Sequence, residues 1–375
     1  MTTEKKYNTS LIGLDVLRFL LSLAVIIWHY QHFYYPLGIK RNIYVTQQPF
    51  YHFLSIFYLY GARAVPIFWI ISGIVFYKFY FKSIENKTVN IQKFVRNRFT
   101  RLYPLHFLTL IIVALLQIYY FSIHKSYFIY INNLKYFVLN VLFIQNWNTN
   151  PINLGSFNGP AWSVSVELFV YLVFFVICLT KAINNNKLIL LLILVAIVCE
   201  GFHWGLVNFN QCLYFFFAGC LLEKSFENNK QNLYKALFAF LGYFIVHFLL
   251  RHYLNDNRTV NNFLQAIGDI HGAIQLLFIC LCIVYLVRIL FDLRIFHKIN
   301  PNIFSLLGNL TYSMYLIHFP LQLVFYIVIN PTSYTVFNAP IVFLSYVGTT
   351  IIFGYLAFNY FEKIVQRKLR LAFDH

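Results

Sequence analysis

Apolar runs of about twenty residues recur along this chain, more than any soluble core could absorb. They cover approximately 13–33, 64–81, 103–122, 160–180, 187–204, 210–223, 235–252, 271–292, 304–326 and 340–361. A helix of about twenty apolar residues crosses the hydrocarbon of a bilayer. Only 11% of the 375 residues are charged and 60% are hydrophobic, too little charge to cover a soluble surface of this length. The pattern predicts an all-α polytopic membrane protein of about ten transmembrane helices. It forms a single membrane-embedded domain over 1–375, with tails at about 1–12 and 363–375. The first run carries Arg18 and His29 and lacks a small-residue cleavage site, so it reads as a span and not as a signal peptide. The six cysteines lie inside apolar runs without ligand spacing. They read as small core residues, and no metal is expected.

A net charge of +17 can signal nucleic acid, but here the basic residues sit in short connections between apolar runs. That is the positive-inside pattern, and it predicts no nucleic-acid partner. With Lys5 and Lys6 in the cytoplasm, ten spans leave most basic residues inside, from Lys82, Lys87, Lys93, Arg96, Arg98 and Arg101 to the tail with Lys363, Arg367, Lys368 and Arg370. An eleventh apolar stretch, 134–147, is short. Were it to cross, every later loop would change sides and the basic tail would face out. The reading is therefore that both termini are cytoplasmic and that 134–147 lies at the outer interface or re-enters.

The first run holds Asp15, Arg18 and His29, groups that lipid penalises by about 2.5–3.5 kcal/mol each for Arg or Asp at mid-bilayer. Arg18 and His29 are eleven residues apart, three helical turns plus about 20°, so they share one face and stand about 16 Å apart along the axis. Asp15 is near enough to pair with Arg18. That face belongs against protein or a wet cavity. On this run alone, a structural ion pair and a histidine snorkelling beside Trp28 and Tyr30 fit equally well.

Other runs repeat the theme. "PAWSVSVELFVYL" places Glu167 inside the fourth span, "LGNLTYSMYLIHFP" places His318 in the outer half of the ninth, and "ARAVPIFWIISGIVF" carries Ser72 and Gly73 in the second. With ten spans, His29, Glu167 and His318 fall at similar depth, which points to a shared cavity. A histidine with a carboxylate forms a general base. His318, before Pro320, also suits a plain bond to a backbone carbonyl. In "FVRNRFTRLYPL", Arg98 and Arg101 lie three apart on the cytoplasmic side, an arrangement suited to phosphate groups and equally to topology and anionic headgroups. Tyr103 and Pro104 are expected to open the third helix.

Five fragments, "GLDVLRFLLSLAVIIWH", "AVPIFWIISG", "RFTRLYP", "AWSVSVE" and "LGNLTYSMYLIHFP", together resemble the acyltransferase-3 family of membrane O-acyltransferases, in family order from about residue 11 to the end. Ala64, Trp69 and Thr311 stand where the family often has Gly, Phe and Ser, which bears on cavity shape. The resemblance implies transfer of an acyl group, usually acetyl, from cytoplasmic acetyl-CoA or another acyl-CoA. The acceptor is a hydroxyl of a surface or lipid-linked glycan across the bacterial inner membrane. Lipopolysaccharide, capsule and exopolysaccharide are typical acceptors. It carries the family's functional positions to Arg18 and His29, Arg98 and Arg101, and Glu167. Some members bear a fused extracytoplasmic hydrolase-like domain. None follows the tenth span here, so transfer is expected from this chain alone or with a separate partner. In this reading His29, Glu167, Arg18 and His318 are the catalytic candidates, and Arg98, Arg101, Arg18, Ser72 and Tyr312 face the acyl-CoA. Ser72, Ser165, Tyr312 or a backbone N–H stabilises the oxyanion. Direct attack and a covalent acyl-histidine or acyl-serine intermediate are both compatible with these residues.

A proton-coupled transporter or a flippase for a glycan precursor also uses intramembrane Asp, Glu, His and Arg. No repeat relates the two halves of the chain, and no pair of broken helices is apparent, which disfavours that class.

Overall fold

The computed structural model describes residues 12–34, 45–129, 131–147, 155–228, 262–291 and 300–374. Among them there is no strand, only a lone bridge between Ile131 and Ser156. The helices are α1 (Ile12–His29), α2 (Tyr51–Tyr60), α3 (Ala64–Glu85), α4 (Ile91–His124), α5 (Leu134–Val141), α6 (Trp162–Leu179), α7 (Asn186–Gly201), α8 (Val207–Asn228), α9 (Asn262–Phe291), α10 (Pro301–Ile329), α11 (Pro340–Leu356) and α12 (Lys363–Asp374). Seven helical stretches are long and apolar enough to cross a membrane, those of α1, α2 with α3, α4, α6, α9, α10, and α11 with α12. The shorter α7 and the more polar α8 occupy the expected spans at 187–204 and 210–223. The span expected at 235–252 lies outside the described residues.

Local chemistry explains the helix starts. The side chain of Asn185 accepts from the N–H groups of Lys187 and Leu188 ahead of α7. Asn300 does the same for Asn302, with Pro301 in the first turn of α10, where its missing N–H costs little. Asn133 caps α5 through the Tyr136 N–H. At eight residues, about 12 Å, α5 is too short to cross, in keeping with a non-spanning 134–147.

Three boundaries differ from the sequence reading. The third helix does not open at Pro104. α4 begins at Ile91 and passes through the proline. Pro104 removes only one ladder bond, to Thr100, and the helix continues through it with Phe94, Thr100, Leu102 and Leu105 buried. α2 was not expected, because ten residues ending at Gly61 are half a span. Residues 363–374, expected only as part of a tail, form the helix α12, which docks on α4 with the Arg96 guanidinium donating to the Phe373 carbonyl.

The chain divides into two compact units. The first comprises residues 1–65, 91–166 and 287–375, and the second residues 66–90 and 167–286. In the first unit α1, α4, α10 and α11 pack around a core that includes Tyr30, Phe33, Leu323, Phe337 and Tyr346. Tyr30 Oη donates to the Phe337 carbonyl at 2.8 Å, so the buried phenol is satisfied. In the second unit Phe76 stacks on Tyr171 at 4.0 Å and meets Phe174 and Phe216 edge-on.

Two glycines set the α3–α8 crossing in the second unit. A Cβ at Gly73 would strike the Phe216 carbonyl, and a Cβ at Gly219 would strike the Ile70 carbonyl. Backbones approach this closely in membrane helices only across small residues. Gly348 of α11 faces open space. Gly219→Val should lower the melting temperature of the detergent-solubilised protein by several degrees, a cost of at least about 1–3 kcal/mol from overpacking. Gly348→Ala should hold or raise it, by up to about 1 kcal/mol of helix propensity. Thermal unfolding of both variants, followed by intrinsic tryptophan fluorescence, checks the pair of signs.

Candidate active site

The site residues of the first unit lie on helices that run side by side. α1 carries Arg18 and His29 as expected, one continuous helix apart. At the far end of α1 the His29 Nδ1 lies 2.9 Å from the Val25 carbonyl. A carbonyl can only accept, so Nδ1 carries the ring proton and Nε2 keeps its lone pair. The His29 main-chain carbonyl in turn accepts from Gln322 Nε2 at 2.7 Å. This ties the end of α1 to α10. His29 is half-buried.

His318 stands beside it, with ring centroids 4.8 Å apart. It is fully buried, and neither of its ring nitrogens makes a hydrogen bond of good geometry. The Tyr315 and Met314 carbonyls on its own helix are its nearest backbone partners. His32 and Trp28 complete the group, with ring centroids 5.3 Å and 4.7 Å from His29. One turn back on α10, Tyr315 Oη donates to the Pro160 carbonyl and pairs with Ser163 Oγ, both at 2.8 Å. Thus α6 opens within one helical turn of His318. Asn158, just before it, donates to Thr109 Oγ1 and to the Leu316 carbonyl at 3.0 Å. Ser165 lies buried in the first turn, its Oγ accepting from the Asn146 N–H at 3.5 Å.

The opposite end of this unit is basic. Arg98 and Arg101 lie on one face of α4, since the segment is helical. Arg101 and Arg18 both interact electrostatically with Glu362, a buried carboxylate. Asp15 of α1 packs directly on Gly308 of α10, where any side chain would collide with its carboxylate. Tyr312 belongs to this end too. Its hydroxyl donates to the Leu102 carbonyl, next to Arg101, about 9 Å of helix rise from His318.

The structure therefore brings together His29 with His318, and Arg18 with Arg101. Ser72 and Glu167 lie in the second unit, where Glu167 of α6 acts electrostatically on Cys212 of α8. Sequence reasoning passed over Gln322, Asn158 and Glu362. Asn158 and Gln322 are ordinary polar residues without spacing, and only their complete burial marks them. Glu362 had a signal, as the lone acid in the basic segment 362–373.

Comparison with known proteins places the chain in a family. A family model for an acyltransferase domain, that of the acyltransferase-3 family, matches residues 11–359. A curated relative, acyltransferase MdmB of Streptomyces mycarofaciens, is 32% identical over 114 residues, 30% of this chain. The match spans 27% of that relative's length. No solved structure matches the chain. A multi-pass fold, helical throughout the described residues, and a family match over nearly its whole length make this chain a membrane protein of the acyltransferase-3 family.

Proposed function

We propose that this enzyme takes an acetyl or other acyl group from acyl-CoA at the basic end of α1 and delivers it at the histidine end. The acceptor is a hydroxyl of a surface or lipid-linked glycan. The observation that carries this reading is the tautomer of His29. With Nδ1 donating to Val25, a lone pair at Nε2 is available to an incoming hydroxyl.

In this scheme Arg98 and Arg101 receive the CoA phosphates through charge-assisted hydrogen bonds. The pantetheine arm follows α1 past Arg18 over the three turns to His29. His29 Nε2 takes the acceptor hydroxyl proton as the oxygen attacks the thioester carbonyl. The tetrahedral intermediate collapses with loss of CoA thiolate, which recovers the proton from the imidazolium. His318 is the second histidine of the site. Tyr312 is not the oxyanion donor in this scheme, because its hydroxyl is used on Leu102. Ser165 and the first-turn N–H groups of α6 are the donors that open near His318. Glu167 is carried as a carboxylate required for transfer. The sidedness implied is the one read from the loop charges, with the basic end cytoplasmic and the membrane the bacterial inner membrane. Membership of an enzyme family favours transfer over the transporter reading.

The first test is the ester-linked acetyl content of the host's surface glycans, by NMR before and after mild alkali. Acetyl signals should disappear on deletion, return with the wild-type chain, and stay absent with His29→Ala, for which a rate loss of about 10²–10⁴-fold is expected. Acetylation unchanged by deletion would defeat the glycan assignment. In the purified enzyme, Arg98→Gln and Arg101→Gln should each raise the KM for acetyl-CoA by about 10–100-fold, the worth of a charge-assisted hydrogen bond. A KM left at the wild-type value would remove that residue from the donor site. Glu167→Gln should abolish most transfer, and near-normal rates would eliminate the carboxylate from the scheme.

A further inference from the structure

Two glutamates are buried outside the proposed scheme: Glu223, which pairs with Lys78, and Glu362. Glu362 ends a π turn, Ala357–Glu362, between α11 and α12. It is 4% exposed, and its Oε2 accepts from Ser313 Oγ at 2.6 Å. Ser313 is itself fully buried. Arg101 of α4 and Arg18 of α1 are its charged neighbours. The turn that carries Glu362 packs on α4 and α10, and among the described residues the only direct contact of its carboxylate is with Ser313 of α10, the two arginines acting on it electrostatically.

The π turn accounts for its direction. Gly354 faces Met314 of α10. Eight residues later a regular helix would present Glu362 about 80° around from that line. The extra residue of a π turn winds the helix back by about 100°, which returns Glu362 to the α10 face. There it meets Ser313. A π turn at such a place is characteristic of functional sites.

The electrostatics are unfavourable for each part alone. A buried carboxylate is costly without partners. Two guanidinium groups from separate helices repel. Together the opposite charges offset one another.

We infer that Glu362 is a positioning residue for the donor site, and that its carboxylate, seated by Ser313, holds the guanidinium groups of Arg18 and Arg101 in the arrangement that receives the phosphates of acyl-CoA. The inference rests on the reading that these arginines bind the donor. Glu362 acts through the arginines and does not touch the substrate.

A double-mutant cycle tests it on the purified full-length chain, with coenzyme A as the probe in isothermal titration calorimetry. Glu362→Gln should weaken coenzyme A about tenfold while the melting temperature stays within a few degrees of wild type. Arg101→Gln should weaken it at least as much. The double variant should be no more than about twofold weaker than Arg101→Gln, because residues that act as one unit are not additive. If Arg101→Gln weakens binding and Glu362→Gln does not, the inference fails and the arginine reading stands. If Arg101→Gln binds as wild type, the arginine reading fails and takes this one with it. Losses that multiply in the double variant would mean that Glu362 acts independently, which also overturns the inference. Should Glu362→Gln not fold, Ser313→Ala removes the seat and keeps the charge. It should weaken coenzyme A about threefold, and wild-type affinity would count against the proposal.

Discussion

Two contacts clamp α1 against α10, one at each end. Asp15 packs on Gly308 with no room for a side chain between them, and Gln322 donates to the main-chain carbonyl of His29. The rest of the first unit is arranged around this pair. It sets His29 beside His318 at one end and brings Arg18 towards Glu362 and Ser313 at the other. The distance between the two chemistries is then the length of α1 itself, about 16 Å from Arg18 to His29. In the proposed scheme this helix is the spacer between a donor and an acceptor that approach from opposite faces of the membrane.

The same demand that lipid makes on polar groups explains the irregular parts. The described residues 131–147 and 155–161 are only partly helical, yet their groups are paired with α4, α6 and α10. His106 Nε2 bonds the Asn140 carbonyl, Tyr103 Oη donates to the Val141 carbonyl, and Trp147 Nε1 donates to the Ser165 carbonyl. Irregular backbone at membrane depth survives only when protein supplies its partners. This segment is therefore a structural lining of the first unit and not a span, and it places the opening turn of α6 beside Tyr315.

Much of this was legible beforehand because the cause was local. Runs of Leu, Ile, Val and Phe near twenty residues must be buried in lipid or protein, so spans such as 13–33 and 304–326 emerged close to their observed bounds. Arg18 and His29 share a face because 3.6 residues make a turn, and helical phase needs no tertiary information. The start of α4 was misplaced for an equally local reason. Pro104 reads as a first-turn proline, and only the burial of Phe94 and Thr100 shows that the helix extends twelve residues before Tyr103. Tyr312 was expected to face the reacting centre, but which neighbour its hydroxyl finds depends on the packing of α10 against α4.

The amino-acid sequence by itself determined the class of the molecule, the placement of most spans and the shared helix face of Arg18 and His29. Hydropathy, charge in short connections and helical periodicity are properties of contiguous residues, and solvent or lipid acts on them directly. The tertiary structure alone decided which distant polar groups meet. Glu362 reaches Ser313 only after a π turn rewinds the helix, and Gln322 finds the His29 carbonyl across an interface of 293 residues' separation. Such contacts rest on the relative rotation of packed helices, which no stretch of twenty residues encodes.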